Sequence, residues 1–119
     1  MEIKIHQTRN YPVAELQGTG VLISNTEDAL DLLGNLYYQD VERVILHEDN
    51  ITPAFFDLST GIAGEILQKY TNYKMRLAIV GDFSKYPGQA FRDFIFESNK
   101  GKQVNFLDTT ATALVRLSS

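Results

Sequence analysis

The sequence predicts an α/β domain: a mixed sheet of about five strands with an N-terminal antiparallel hairpin, later strands parallel, and about four helices packed on it. Three observations predict this. The first residues alternate polar and apolar on both sides of a turn signal, the pattern of a half-buried hairpin. Beyond them, short apolar runs alternate with stretches of helical periodicity, the pattern of strand-helix-strand units. A length of 119 residues, with 44% hydrophobic and 22% charged side chains, suffices for one folded core and falls short of two.

The elements follow in order. Ile3 and Ile5, then Val13 and Leu16, flank the Arg9-Asn10 turn and make the hairpin. Gly18-Thr19-Gly20 breaks that pattern, and Val21-Leu22-Ile23 reads as a short third strand. Ser24-x-x-Glu27 is a capping-box sequence, opening a helix from about Thr26 to Tyr38 with Ala29, Leu30, Leu33, Leu36 and Tyr37 on one face. Arg43 to Leu46 is apolar enough for a strand buried on both faces.

Thr52 to Tyr73 has helical spacing in Leu58, Ile62, Ile66 and Tyr70, with Ala63 and Leu67 beside them. Because Gly61 and Gly64 weaken it, the regular helix is placed from near Ser59, after a separate turn over Pro53 to Asp57. Arg76 to Val80 is the clearest buried strand. A helix from about Gly88 to Ser98, a strand over Val104 to Leu107 and a helix from Thr109 or Thr110 to Leu117 complete the chain. Successive strand-helix-strand units require right-handed crossovers, so the later strands are expected to be parallel.

Several functions are excluded or disfavoured. The 11 basic and 15 acidic residues give a formal net charge of −4 without a long run of either sign, so neither nucleic acid nor an anionic membrane is an expected partner. The absence of cysteine removes disulfides, thiolate metal sites and a cysteine nucleophile. The alternating N-terminus lacks the apolar core of a signal peptide, and no apolar stretch approaches the ~20 residues of a membrane span, which makes the cytoplasm the expected location. There is no Gly-x-Gly-x-x-Gly, Walker lysine loop, Gly-x-Ser-x-Gly elbow or His-Glu-x-x-His, and no metal or cofactor is expected.

His47-Glu48-Asp49-Asn50-Ile51, Phe55 to Lys69, Leu77 to Ser84 and Arg92 to Lys102 carry a resemblance to the bacterial family called domain of unknown function 4180. It implies a small standalone bacterial protein and no known activity. Val44-Ile45-Leu46 followed by Ser59-Thr60-Gly61-Ile62 also resembles, more loosely, the strand-to-helix turn of sulfate-transporter and anti-sigma-factor-antagonist (STAS) domains. That likeness would make Ser59 a regulatory phosphorylation position, against the plain alternative of a helix N-cap. Leu58 stands where the STAS aspartate would be, with Asp57 one place earlier.

A site is expected where loops leave the carboxyl ends of parallel strands. His47, Glu48 and Asn50 follow one such strand, Asp82 and Ser84 follow the next, and Asp57 lies near the first turn; all six are ligand-binding candidates. In a shared cleft, His47 would be a proton acceptor oriented by Glu48 or Asp82, Ser84 a weak nucleophile or donor, and the helix N-termini a seat for a small anion or metabolite. The plainer reading makes His47 a surface histidine and the short polar residues turn and cap formers. The favoured function is a noncatalytic regulatory or protein-interaction module. A small enzyme using His47, Glu48, Asp82 and Ser84 is the alternative. The aromatic helix carrying Phe91, Phe94, Ile95 and Phe96 points to a homodimer or another protein partner.

Overall fold

The computed structural model describes residues 1–119. Two strands, β1 (Glu2–Gln7) and β2 (Pro12–Gln17), form the hairpin and pair antiparallel, with His6 opposite Val13 and Lys4 opposite Glu15. The chain then runs through α1 (Thr26–Tyr38), β3 (Arg43–His47), three 3₁₀ turns, α2 (Ile62–Asn72), β4 (Arg76–Val80), a further 3₁₀ turn, α3 (Gln89–Lys100), β5 (Val104–Leu107) and α4 (Thr110–Leu117). The sheet order is β1-β2-β3-β4-β5, and every pair after the hairpin is parallel. The mixed sheet and its four helices are therefore those the sequence predicts.

Strand order explains the layers. Each crossover steps to the next strand in the same direction, so right-handed connections place α1, α2 and α3 on one face. That face holds the main core, built from Ala14 and Leu16, Val44 and Leu46, Leu77 and Ile79, and Val104 and Phe106, under Leu33, Leu36, Ile66, Tyr70 and Phe91. The alternate strand residues Val13, Ile45, Ala78 and Val80 face the other way and pack with Ala113 and Leu117 of α4. No helix is long and apolar enough to cross a membrane.

Local departures from the sequence reading have identifiable causes. Val21-Leu22-Ile23 is no strand: the Asn50 carbonyl accepts both the Leu22 and Ile23 amides, leaving one bridge between Ile23 and Ile51. The cap of α1 is Asn25, whose side chain accepts from the Asp28 amide while Asp28 accepts from the Ser24 amide, so the box lies one residue beyond Ser24. The inward stripe of α1 is Ala29, Leu32, Leu33 and Leu36, which leaves Tyr37 59% exposed.

Regular helix begins at Ile62 rather than near Ser59, because Asp57 caps a 3₁₀ turn over Leu58–Thr60 and Gly61 follows at φ 80°. The aromatic helix α3 spends most of its apolar surface internally. Phe91 is buried, Phe94 and Ile95 pack against the main core, and Phe96 remains 64% exposed with the Lys100 ammonium 4.6 Å from its ring centre.

Candidate functional site

The carboxyl ends of β3 and β4 lie side by side, so their loops leave the same end of the sheet. A sheet with monotonic strand order has no point where successive crossovers diverge, and hence no ready-made crevice between strands. Any depression there must be built by the loops. Glu48–Asn50, Pro53–Phe56 and Leu58–Thr60 form 3₁₀ turns after β3, and Phe83–Lys85 forms one after β4.

The six candidate residues do not converge. The Nε2 of His47 is 2.6 Å from Oε2 of Glu15 on β2 and makes no hydrogen bond to Glu48, Asp82 or Ser84. Glu48, 6% exposed, accepts from the Tyr86 hydroxyl and pairs with Lys85 at 2.7 Å. Burial and this carboxylate together push the Tyr86 phenol up. Asn50, buried, donates to the Gly18 and Gly20 carbonyls at 3.1 and 2.9 Å and pins the loop after β2.

Asp57 and Asp82 are twins. Oδ1 of each accepts from the amide and the hydroxyl of the serine two residues on, Ser59 at 3.1 and 2.7 Å and Ser84 at 3.0 and 2.6 Å. These bonds hold both carboxyls below their ordinary range, and they commit both serine hydroxyls as donors. Ser59 is exposed within its turn, three residues before α2, so it does not cap that helix. A phosphoryl group on it would replace the hydroxyl bond with a charge beside the Asp57 carboxylate.

Two depressions mark this end. The larger, about 570 Å³, lies between Pro53 to Ser59 and Tyr86 to Phe91, with Phe56, Tyr86 and Phe91 as aromatic walls and Asp57 and Ser59 at its edge. Phe56 stacks on Tyr86 with ring centres 4.6 Å apart, and Phe91 meets both edge-on. The N-terminus of α3 opens into this groove: Gly88, Ala90 and Phe91 line it, no side chain caps the helix, and the Gln89, Ala90 and Phe91 amides have no hydrogen-bond acceptor. The second depression, about 530 Å³, involves Asp82 with Gly81, Phe83, Phe106, Leu107 and Asp108.

Away from these loops, Glu15 receives two histidines, His6 at 2.7 Å and His47 at 2.6 Å, while only 5% exposed itself. Burial raises the Glu15 carboxyl, but the bonds from His47, His6 and Gln17 together outweigh it, and the net displacement is downward. With Glu15 ionised, its two carboxylate oxygens accept from the Nε2 atoms of His6 and His47. No nucleophile is hydrogen-bonded to either ring, and no group of three or more His, Asp or Glu side chains is placed to hold a metal. Sequence reasoning missed Glu15 and His6. The signal was the hairpin register, in which residue 13 faces residue 6 and residue 15 is the diagonal neighbour on the same face.

No curated protein and no solved structure matches the chain. The family model described as Domain of unknown function (DUF4180) matches residues 8–117, from the hairpin turn through the last residue of α4. Since that span holds both loops, the aromatic groove and four of the five strands, the chain belongs to the DUF4180 family.

Proposed function

We propose that the protein is a noncatalytic binding module whose ligand is a small molecule with an apolar, ring-sized body and one hydrogen-bond-accepting head. The groove between Pro53–Ser59 and Tyr86–Phe91 carries the reading. Its volume lies within the roughly 300–1,000 Å³ of small-molecule sites, and its aromatic walls suit a flat apolar body. The unpaired amides of Gln89, Ala90 and Phe91 supply donors for the head, and the α3 dipole favours partial negative charge there. The Asp57 carboxylate at the edge disfavours a multiply charged anion and favours a neutral acceptor or a single negative charge.

Binding is favoured over catalysis because the Asp57 carboxylate that meets the Ser59 hydroxyl at the groove is held below its ordinary range and is therefore a poor base. Ser59 already donates to Asp57, and His47 is engaged with Glu15 across the sheet. The test is a metabolite screen on ¹⁵N-labelled protein. A ligand of this class moves the Gln89, Ala90 and Phe91 amide resonances, and Ala90→Trp, which places an indole at the groove, abolishes the response while leaving the rest of the spectrum folded. Hits that shift other residues, or that survive Ala90→Trp, refute the assignment.

Self-association through α3 is a further part of the reading, and Phe96 is the large apolar side chain this helix leaves exposed. A homodimer using it reverts to a mass near 13.4 kDa in light scattering of Phe96→Ser. An equal mass for both proteins removes Phe96 as the contact.

A further inference from the structure

Between α1 and α2 lies a hollow of about 230 Å³, lined by Leu30, Leu33, Gly34, Tyr37, Lys69 and Tyr73, which shares no residue with the aromatic groove. Gly34 is its unusual member. A glycine inside a helix weakens it relative to alanine, and nothing in the fold asks for one at this position. The residue is in mid-helix, has no positive φ, and a Cβ built on it would meet no atom within 4 Å. What that Cβ would take up is space in the hollow. Gly64 of α2 also has room for a Cβ, but it opens onto a different surface, with Gln68, Thr71 and Asn72.

Tyr37 and Tyr73 stand beside Gly34, 59% and 53% exposed, and meet edge-on with ring centres 5.7 Å apart. The hydroxyls of Tyr70 and Tyr86 donate within the chain, whereas those of Tyr37 and Tyr73 have no partner. Lys69 is the one charged residue of the lining. Glu65, one turn before it, accepts from the Thr26 hydroxyl at 2.9 Å, and no ion pair of the protein includes Lys69. Leu30 to Tyr37 and Lys69 lie within helices, whose main-chain groups are spent on one another. The hollow therefore offers two hydroxyls and an ammonium, but no sheet edge to pair with the N–H groups of a strand.

We propose that this hollow docks an extended, proline-rich segment of a partner protein that carries an acidic residue beside its prolines. Proline has no N–H to satisfy, its polyproline helix turns its carbonyls outward as acceptors, and aromatic-lined grooves suit its rings. The Tyr37 and Tyr73 hydroxyls donate to those carbonyls, and Gly34 lets a ring approach α1 more closely than a side chain would allow. The charge of Lys69 selects a carboxylate and sets the direction in which the segment lies. This surface stands or falls independently of the aromatic groove and of α3.

The probes are a peptide of prolines followed by glutamates and its counterpart with lysines in place of the glutamates, each titrated into the ¹⁵N-labelled full chain. The glutamate peptide is expected to give saturable shifts at the Gly34, Lys69 and Tyr73 amides and to change the tyrosine emission, which no tryptophan obscures. The lysine peptide binds more weakly by about tenfold or more, and Lys69→Gln removes that preference. Gly34→Ala raises the urea midpoint, alanine being the better helix former, yet weakens the glutamate peptide by about tenfold or more. Gly64→Ala raises the midpoint and leaves the peptide affinity unchanged. A glycine kept only for the fold would give the opposite result at position 34, a lower midpoint. Absence of saturation, equal affinity for the two peptides, undiminished binding by Gly34→Ala, or shifts confined to Gln89–Phe91, which would seat the peptide in the aromatic groove, each overturns the proposal.

Discussion

Replacing Gly81 with alanine tests how the two loops at the carboxyl end are held together. A Cβ at this position would lie 2.5 Å from Cβ of Glu48, 3.2 Å from its Cγ and 3.3 Å from Oε1. Carbon atoms rest about 3.5–4.0 Å apart, so a displacement of about 1 Å is needed. Rotation of the Glu48 side chain cannot supply it, because the nearest atom is the Cβ fixed to the backbone. The Glu48–Asn50 turn must move and draw the carboxylate away from the Tyr86 hydroxyl and Lys85. Overpacking of this kind costs about 1–3 kcal/mol and a weakened charged hydrogen bond about 1.5–3 kcal/mol, so Gly81→Ala should destabilise by about 2.5–6 kcal/mol.

That is a large part of the ~5–15 kcal/mol that holds a domain folded. Urea denaturation followed by circular dichroism is the direct assay, with a fall in Tm of about 4 °C per kcal/mol in parallel. Glu48→Gly removes the opposing Cβ, so Gly81→Ala with Glu48→Gly should cost less than the sum of the two single changes. A Gly81→Ala protein within about 0.5 kcal/mol of the parent, or strict additivity in the cycle, would refute the reasoning.

Other outcomes follow from the same structure. Gly64, inside α2 with nothing within 4 Å of where an alanine Cβ would sit, should gain about 0.5–1 kcal/mol on conversion to alanine, read as a higher urea midpoint. Tyr70→Phe removes the hydroxyl that donates to the Ala29 carbonyl at 2.7 Å in a fully buried contact between α2 and α1, and it should cost about 1–2 kcal/mol by the same assay. Glu15 has its carboxyl below the ordinary 4.5, so its ionisation favours the fold: the stabilisation is complete above pH 4.5 and is lost as pH falls through the lower native value. Glu15→Gln should therefore be less stable than the parent at neutral pH and show a flatter loss of stability as the medium is acidified through that range; parallel pH profiles would count against that assignment.

Much of this protein is legible along the chain. The hairpin, three later strands and four helices follow from residue periodicity and turn residues, because those signals act within a few positions of each other. Asp57 and Asp82 were visible as turn formers for the same reason, each binding the serine two residues on. What the chain order could not contain is which distant side chains share a face. His47 reads as a partner for Glu48 or Asp82 because they are close in sequence or topology, yet strand alternation points it to the α4 face, where Glu15 meets it. Val21-Leu22-Ile23 has the residues of a strand, but the Asn50 carbonyl takes two of its amides and denies it a ladder.

The same division runs through the aromatic groove and the arginines at the other end of the sheet. The sequence by itself determined the aromatic content and the glycine at the start of α3; only the packing of the Pro53–Phe56 turn against Tyr86 and Phe91 made these a groove. Arg43, Arg76 and Arg116 are three unrelated basic residues until parallel register sets the first two side by side and α4 lays the third above them. Local propensity is a property of neighbours in the chain, whereas register, facing and charge convergence depend on contacts between residues tens of positions apart, and those exist only once the sheet has closed.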